Sequence, residues 1–246
     1  MTLSEVVSQE EWLAARRELL ADEKAFTRAR DALNTKRREL PMVKVDKEYA
    51  FEGPEGKVRL ADLFDGRRQL IVQHFMFDPS WDEGCPSCTA ASDEMSPGLQ
   101  RHLNARDTSF AVVSRAPLPK IERYKASRGW TFPWYSSYGT DFNYDFNGTI
   151  DSSVAPVMWN YRTLDELRDV GQDWLAEGSW EQPGYSVFLR DGGDVYHTYS
   201  VYARGTESLG GSYYFLDMTA LGRQEEWEQP KGRADFAREN RPDFAT

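Results

Sequence analysis

Residues Gln69–Cys88 read QLIVQHFMFDPSWDEGCPSC, and the two ends of this stretch obey different rules. From Gln69 to Phe77 the side chains are mostly β-branched, aliphatic or aromatic, and a loop containing Pro79 follows, which is the pattern of a short strand buried in a sheet. At the other end the chain's only two cysteines, Cys85 and Cys88, stand three positions apart with Pro86 between them. If a helix begins there, that spacing puts both sulfurs on one helical face. Pro86 suits a first helical turn, where its missing N–H would have had no partner. The stretch therefore predicts a strand that delivers a dithiol to the mouth of a helix.

At a helix N-terminus the unpaired N–H groups and aligned dipoles favour negative charge, by roughly 0.3–1 kcal/mol at an exposed site. Cys85 is accordingly expected to be the nucleophile. Cys88, one turn deeper, is placed to attack a mixed disulfide and release the reduced substrate. Asp82 and Glu83 oppose the thiolate; in a loop and turned outward, they leave the helix ahead. Two further readings of the pair stay open, inert helix thiols and half of a metal site completed by two of His74, His102 and His197. His74 falls in the buried-strand pattern and His102 late on the cysteine-bearing helix. His197 lies on a hairpin and is the one that could approach the pair, yet a structural role is expected for each, and no metal is expected.

Outward from this centre, SQEE at Ser8–Glu11 opens a helix with a capping-box pattern, and the helix is expected as far as Leu40, before Pro41. Trp12, Leu19, Phe26, Leu33 and Leu40 recur every seven residues, but the positions that would complete a coiled-coil seam carry Arg16, Glu23, Arg30 and Arg37. The single apolar stripe reads as an arm lying across the domain or a partner subunit. Beyond the cysteines, Thr89–Arg106 reads as one helix bent near Pro97, Thr108–Ser114 as a second buried strand and Leu118–Arg128 as a second helix. Gly129–Gly148 is dense in aromatic and turn residues and reads as inserted loop structure. A capping box at Thr163–Glu166 opens a helix to about Ala176. Tyr185–Arg190 and Val195–Tyr199 flank Asp191-Gly192-Gly193-Asp194, a hairpin signal. Ser212–Leu221 is expected to close the fold as a helix or short strand.

Thirty basic against 40 acidic residues, a net charge of −10, leave no electrostatic footprint for nucleic acid or an anionic membrane. The N-terminus lacks a basic region followed by an apolar core, and no apolar run is long enough to span a bilayer. A cytoplasmic location is expected, where two cysteines at this spacing are redox-active or metal-binding rather than a staple. No Gly-rich phosphate loop stands between a strand and a helix, so no nucleotide or other cofactor is expected. The carboxylates are too scattered to nominate an acid/base pair.

Strand, dithiol helix, second strand–helix unit and Pro-preceded hairpin follow the element order of the thioredoxin fold. More narrowly, CPSC, GWTFPWYSS, TDFNYDF, PGYSVFLRDGGDVYHTYSVYARG and YYFLDMTALGRQE together resemble a bacterial thioredoxin-like family of unknown function described as predicted dithiol-disulfide oxidoreductases; the likeness runs from about Trp12 to Glu226. It implies an α/β thioredoxin-like fold with a central mixed sheet, a long N-terminal helical extension and an aromatic-rich insertion before the C-terminal hairpin. The expected divisions are an arm at 1–41, a thioredoxin-like domain at 42–222 with its insertion at about 129–182, and a polar tail at 223–246. The implied activity is thiol–disulfide exchange through Cys85, Cys88 and Pro86 on a disulfide or thiol substrate, small molecule or protein, with a reducing partner and a homodimeric assembly. Trp81, Trp130, Trp134, Tyr135, Pro183 and His197 are the candidate substrate-binding residues. Arg115 and Arg204 are candidates to meet an anionic group, against ordinary surface ion pairs. Three departures from better-known relatives stand out. Gly84 replaces the Trp that precedes the first Cys in thioredoxins. Gly184 separates Pro183 from the hairpin. Asp82 occupies the place of the peroxiredoxin Thr, which argues against a peroxidase.

Overall fold

The structure, a computed structural model, describes residues 4–211 and, beyond them, positions 218, 225–227, 229 and 231. The expected closing element at Ser212–Leu221 and the tail at 223–246 therefore fall outside the described residues, apart from those positions. Internal contacts divide the chain into two units, with one boundary between Pro41 and Met42.

The first unit contains α1, Gln9–Arg38. Ser8 caps it as its sequence requires. The Ser8 hydroxyl accepts from Glu11 N–H at 3.3 Å, and the Glu11 carboxylate takes Ser8 N–H at 2.9 Å, so two otherwise orphaned donors are satisfied. No residue of α1 is buried; its apolar stripe, Trp12 and Phe26 included, is exposed.

The second unit is built on one sheet. Its strands are β1 (Val43–Lys44), β2 (Ala50–Gly53), β3 (Gly56–Arg59) and β4 (Gln69–His74), followed by helices α2 (Pro86–Asp93) and α3 (Pro97–Asn104). Next come β5 (Thr108–Ser114), α4 (Leu118–Arg128), β6 (Trp134–Ser136), α5 (Phe142–Asp145) and β7 (Thr149–Asp151). The order then runs β8 (Met158–Trp159), β9 (Arg162–Thr163), α6 (Leu164–Arg168), β10 (Ser179–Glu181), β11 (Gly184–Asp191) and β12 (Asp194–Tyr202). Among the described residues eight strands join in the order β1-β12-β11-β4-β5-β6-β2-β3. β4 and β5 run parallel, joined through α2 and α3, while β11 runs antiparallel to β4 and β12 antiparallel to β11. That order and sense is the thioredoxin-like arrangement the sequence implied.

Side-chain alternation along the central strands sorts the core into two layers. Leu70 and Val72 of β4 and Ala111 and Val113 of β5 face a layer that holds Phe51, Phe64, Phe142 and Phe188. Phe110 and Val112 of β5 face the other layer, with Phe75, Phe77, Ile121, Trp134 and Cys88. All seven β5 residues are buried, as a parallel central strand covered on both faces demands.

Three elements differ from expectation. Thr89–Arg106 is two helices rather than one bent helix. Pro97 cannot donate into a continuing helix, and Ser96, extended at ψ 153°, accepts Leu99 N–H at 3.1 Å to open α3 afresh. The aromatic segment is not all inserted loop, because Trp134–Ser136 pairs with β5 as a sheet strand. The helix from Thr163 keeps its capping box but stops at Arg168, where Gly171 at φ 71° turns the chain; a separate 3-10 turn follows at Asp173–Ala176.

Candidate active site

β4 leaves the ladder after His74, and Phe75 and Phe77 drop into the core on the way to the dithiol. Cys85 N–H donates to the Met76 carbonyl at 3.0 Å, which holds the start of α2 against the end of β4. Cys85 is the N-cap of α2 and Pro86 its first residue. The Cys85 carbonyl accepts both the N–H and the hydroxyl of Thr89, each at 2.9 Å, and Thr89 Oγ1 also meets Tyr124 OH at 2.8 Å. The Gly before the dithiol has a steric cause. A Cβ on Gly84 would stand 2.5 Å from Phe75 Cε1 and 3.0 Å from Tyr124 Cε1, so no side chain fits there. Gly84→Ala is expected to force one of these rings aside and to cost about 1–3 kcal/mol, read as a lowered denaturant midpoint at unchanged m-value.

The two sulfurs are thiols in unequal surroundings: Cys88 is buried and Cys85 is partly exposed. Cys88 is pushed well above an ordinary thiol's pKa by its hydrogen bond with Cys85, by burial and by charge on Cys85; Met76 N–H acts in the opposite sense, and the charge of Glu181 adds a little. The buried thiol therefore keeps its proton while its neighbour reacts.

Beside the pair is an ionic cluster of which the sequence nominated Arg115 alone. Asp78 follows β4, Arg115 follows β5 and Glu181 ends β10 just before β11, so three loops converge at the end of the sheet where open α/β folds hold ligands. Arg115 Nε donates to Glu181 Oε1 at 2.7 Å, Nη1 to Tyr144 OH at 2.6 Å, and Nη2 to Asp78 Oδ2. Thr149 Oγ1 donates to the same Glu181 oxygen at 3.0 Å. Glu181 Oε2, also buried, has no hydrogen-bond partner among the described residues. Burial lifts the Glu181 carboxyl to about 7 despite Arg115. Burial also acts on Asp78, but the Ser80 hydroxyl and N–H together with Arg115 outweigh it and hold that carboxyl below its usual range. The signal for Glu181 in the sequence is slender, a single carboxylate between Trp180 and Gln182-Pro183.

Of the residues nominated from sequence, Trp130 and Trp134 join Cys85 and Cys88 in one apolar layer. Trp134 is fully buried, with its indole N–H on Ser114 Oγ at 3.0 Å, which makes it core rather than pocket wall. Tyr135 packs into the opposite layer, and His197 stands against Phe146 and Phe188 of that same layer, away from the thiols. Trp81 is exposed in the loop before Cys85. Pro183 precedes Gly184, which pairs with His74 at the last residue of β4, so it lies at the dithiol end of the sheet. Gly184 is dictated by packing, since a Cβ there would sit 2.4 Å from Tyr202 Cδ1. Arg204 is occupied by Glu207 at 3.1 Å on the surface. Among the described residues no three His, Cys, Asp or Glu side chains converge as metal ligands, and no helix is long and apolar enough to cross a membrane.

Sheet topology and a dithiol at a helix mouth define a protein of the thioredoxin-like class. The chain belongs to the family described as "Bacterial protein of unknown function (DUF899)", whose sequence pattern matches residues 1–240. No curated protein matches it. Among solved structures, it is similar to a peroxidoxin, BcpB, of Mycobacterium tuberculosis, at 15% identity and a TM-score of 0.42, over 65% of this chain and 86% of that one. A PrxQ mutant of Xylella fastidiosa matches at 11% identity and a TM-score of 0.40, over 65% and 84% of the two chains. A protein of Bacteroides thetaiotaomicron, provisionally described as a protein disulfide isomerase, matches at 16% identity and a TM-score of 0.39, over 69% and 88%. Likenesses this distant lend nothing to the choice of activity.

Proposed function

We propose that this protein is a thiol–disulfide oxidoreductase in which Cys85 is the nucleophile and Cys88 the resolving thiol. The observation that carries this reading is the asymmetry of the pair. A partly exposed sulfur at a helix N-terminus is hydrogen-bonded to a buried one that retains its proton. The Cys85 thiolate attacks one sulfur of a substrate disulfide, a mixed disulfide forms and the other substrate sulfur leaves as a thiolate that takes a proton. Cys88 then gives up its proton and attacks Cys85; the Cys85–Cys88 disulfide forms, and the second substrate thiol is released. The substrate has gained two electrons and the protein has lost two, which a dithiol reducing partner restores.

Glu181 is suited to take the Cys88 proton. It has a buried oxygen without a partner among the described residues, its charge acts on Cys88, and near neutral pH its carboxyl is poised between its two forms. The substrate would approach past Trp81, Pro86 and Pro183. A cytoplasmic setting, where such a couple stays reduced between turnovers, goes with this reading. The exposed stripe of α1 is the surface through which two copies would join as a homodimer. Light scattering should then report a dimer for the whole chain and a monomer once the residues before Pro41 are removed.

The test is trapping. Incubated with an aromatic disulfide such as DTNB, Cys88→Ser should retain one substrate half covalently on Cys85, seen as a mass increase that dithiothreitol reverses, whereas the native chain should retain none. Equal retention by both chains would remove Cys88 from the resolving role.

A further inference from the structure

The loop that carries the chain from β4 to the dithiol is tied down along its length. Asp78 Oδ1 accepts the N–H and the hydroxyl of Ser80 at 2.8 and 2.6 Å, and Trp81 N–H donates to the Asp78 carbonyl at 3.0 Å. Lys120 of α4 donates to the Pro79 and Trp81 carbonyls at 2.9 and 2.8 Å, and Cys85 N–H closes the loop on the Met76 carbonyl. Asp82, Glu83 and Gly84, between the last two ties, are thereby held next to the thiol.

Asp82 and Glu83 are exposed and make no hydrogen bond or ion pair among the described residues. Chain length bounds their distance. At no more than about 3.6 Å per residue, the Glu83 and Asp82 Cα atoms lie within about 7 and 11 Å of the Cys85 Cα. The screening length at physiological salt is about 8 Å, so both charges are felt at the sulfur. Glu83 is placed by its effect as well: its charge acts on the phenol of Tyr124, which is hydrogen-bonded to Thr89 on the dithiol helix.

The nearby cations are already engaged. Arg115 is held by Glu181, Tyr144 and Asp78, Lys120 by its two carbonyls, and Arg128 closes on Asp93. A second observation points the same way from inside the site. Glu181, its side chain 2% exposed, keeps Oε2 without a hydrogen-bond partner among the described residues, and its charge acts on Cys88. A buried carboxylate oxygen that lacks a donor favours a ligand that brings positive charge. Trp81, 40% exposed in the same loop, adds a ring face of the kind ammonium groups favour.

We propose that the dithiol selects its substrate by charge, and that the preferred substrates are disulfides with an ammonium or guanidinium group close to the sulfur–sulfur bond, met by Asp82, Glu83 and the Trp81 ring. This rests on the thiol-exchange reading above. With the cation at the carboxylates, the Cys85 thiolate attacks the near sulfur; the substrate S–S bond breaks, the mixed disulfide forms, and the far half leaves as a thiolate that takes a proton. Small aminothiol disulfides and lysine-flanked peptide disulfides share this chemistry.

The first step is isolated in full-length Cys88→Ser, which stops at the mixed disulfide. Its formation is timed by mass spectrometry at pH 7 and low ionic strength with cystamine, 2-hydroxyethyl disulfide and 3,3′-dithiodipropionate. Each rate is divided by that of the same disulfide with N-acetylcysteinamide, a neutral thiol, which cancels the differing leaving groups. The divided rate should be on the order of tenfold higher for the cationic than for the neutral disulfide, and lower again for the anionic one. In 1 M salt, where the screening length is about 3 Å, the three should converge. Asp82→Asn with Glu83→Gln should remove most of the preference. Glu181→Gln should remove part of it, since no resolving step is left in this background for Glu181 to serve. A changed thiolate fraction moves all three rates alike and leaves their ratio. Asp191→Asn with Asp194→Asn removes as much charge at the far end of β11, about 24 Å along the strand from Gly184, and should leave the ratio alone. A lysine-flanked peptide disulfide, run beside its serine-flanked counterpart, separates the sources: preference for cystamine alone marks small aminothiols, and preference for the peptide too marks basic protein segments. Equal divided rates, a preference that survives 1 M salt or the Asp82 and Glu83 substitutions, or an equal loss in the Asp191 and Asp194 control would each overturn charge selection and leave thiol exchange standing. No reaction with any disulfide would overturn both.

Discussion

Cys85→Ser should leave a thiol that hardly reacts: at neutral pH, Cys88 in that variant is expected to be alkylated by iodoacetamide on the order of a hundredfold more slowly than Cys85 in Cys88→Ser. Two effects multiply. Iodoacetamide attacks the thiolate, whose fraction falls about tenfold for each unit by which a pKa rises above the solution pH. Removing Cys85 takes away its hydrogen bond and its charge, but burial at 4% exposure persists and still disfavours the charged form. The same burial denies the reagent an approach that Cys85, partly exposed at the helix mouth, provides. Disulfide reduction should disappear in both variants, by loss of attack in one and loss of release in the other. Equal alkylation rates would mean that the asymmetry on which the two roles rest is absent in solution.

The second large effect concerns pH and Glu181. Its carboxyl lies near 4.5 in the unfolded chain and at about 7 in the folded one. As pH rises through that window the unfolded chain ionises first, so folded stability falls, by about 3 kcal/mol once pH exceeds the folded value. Below 4.5 both states are protonated and the penalty is absent. His74 works in the opposite sense. Burial takes it from 6.5 to about 3, so stability is lost as pH falls through that range, on the order of 5 kcal/mol in all. Between pH 4.5 and 6.5 the two slopes offset one another, and a pH profile of the native chain alone would look nearly flat. Glu181→Gln separates them. The glutamine keeps an oxygen for Arg115 but does not ionise, while the His74 contribution is common to both chains. The stability of the variant relative to the native chain should therefore rise by about 3 kcal/mol between pH 4.5 and 7, measured by urea unfolding across that range. A constant difference would show that Glu181 titrates at its ordinary value and is unsuited to exchange a proton with Cys88.

The parts of this architecture legible in the sequence are those written in neighbouring residues. The Gln69–Phe77 run, the CxxC with Pro86 at the first turn, the capping box at Ser8 and the hairpin around Gly192-Gly193 each depend on local periodicity or on the backbone needs of a turn. The break between α2 and α3 was written locally too, in Ser96-Pro97, where a cap followed by a proline starts a helix rather than bends one. β6 was hidden because three residues are too few for alternation, and Trp134 is buried for tertiary reasons that its aromatic neighbours do not reveal. The Arg115–Glu181–Asp78 cluster was beyond reach for the same reason. Asp78 and Glu181 lie 37 and 66 residues from Arg115 in the chain and meet it only because three loops converge at one end of the sheet. The empty place before Cys85 shows the converse. Gly84 looked like a departure from a familiar active site, and the cause lies across the core in Phe75 and Tyr124.

Whether Cys85 and Cys88 exchange electrons at all is most directly measured by mass spectrometry of the full-length protein, blocked with iodoacetamide after treatment with reduced dithiothreitol or with the dithiol oxidant diamide. Two added alkyl groups after reduction, none after oxidation, and recovery of both on a second reduction are the expected result. Two alkyl groups under both conditions would contradict a dithiol–disulfide cycle and leave the pair as structural thiols.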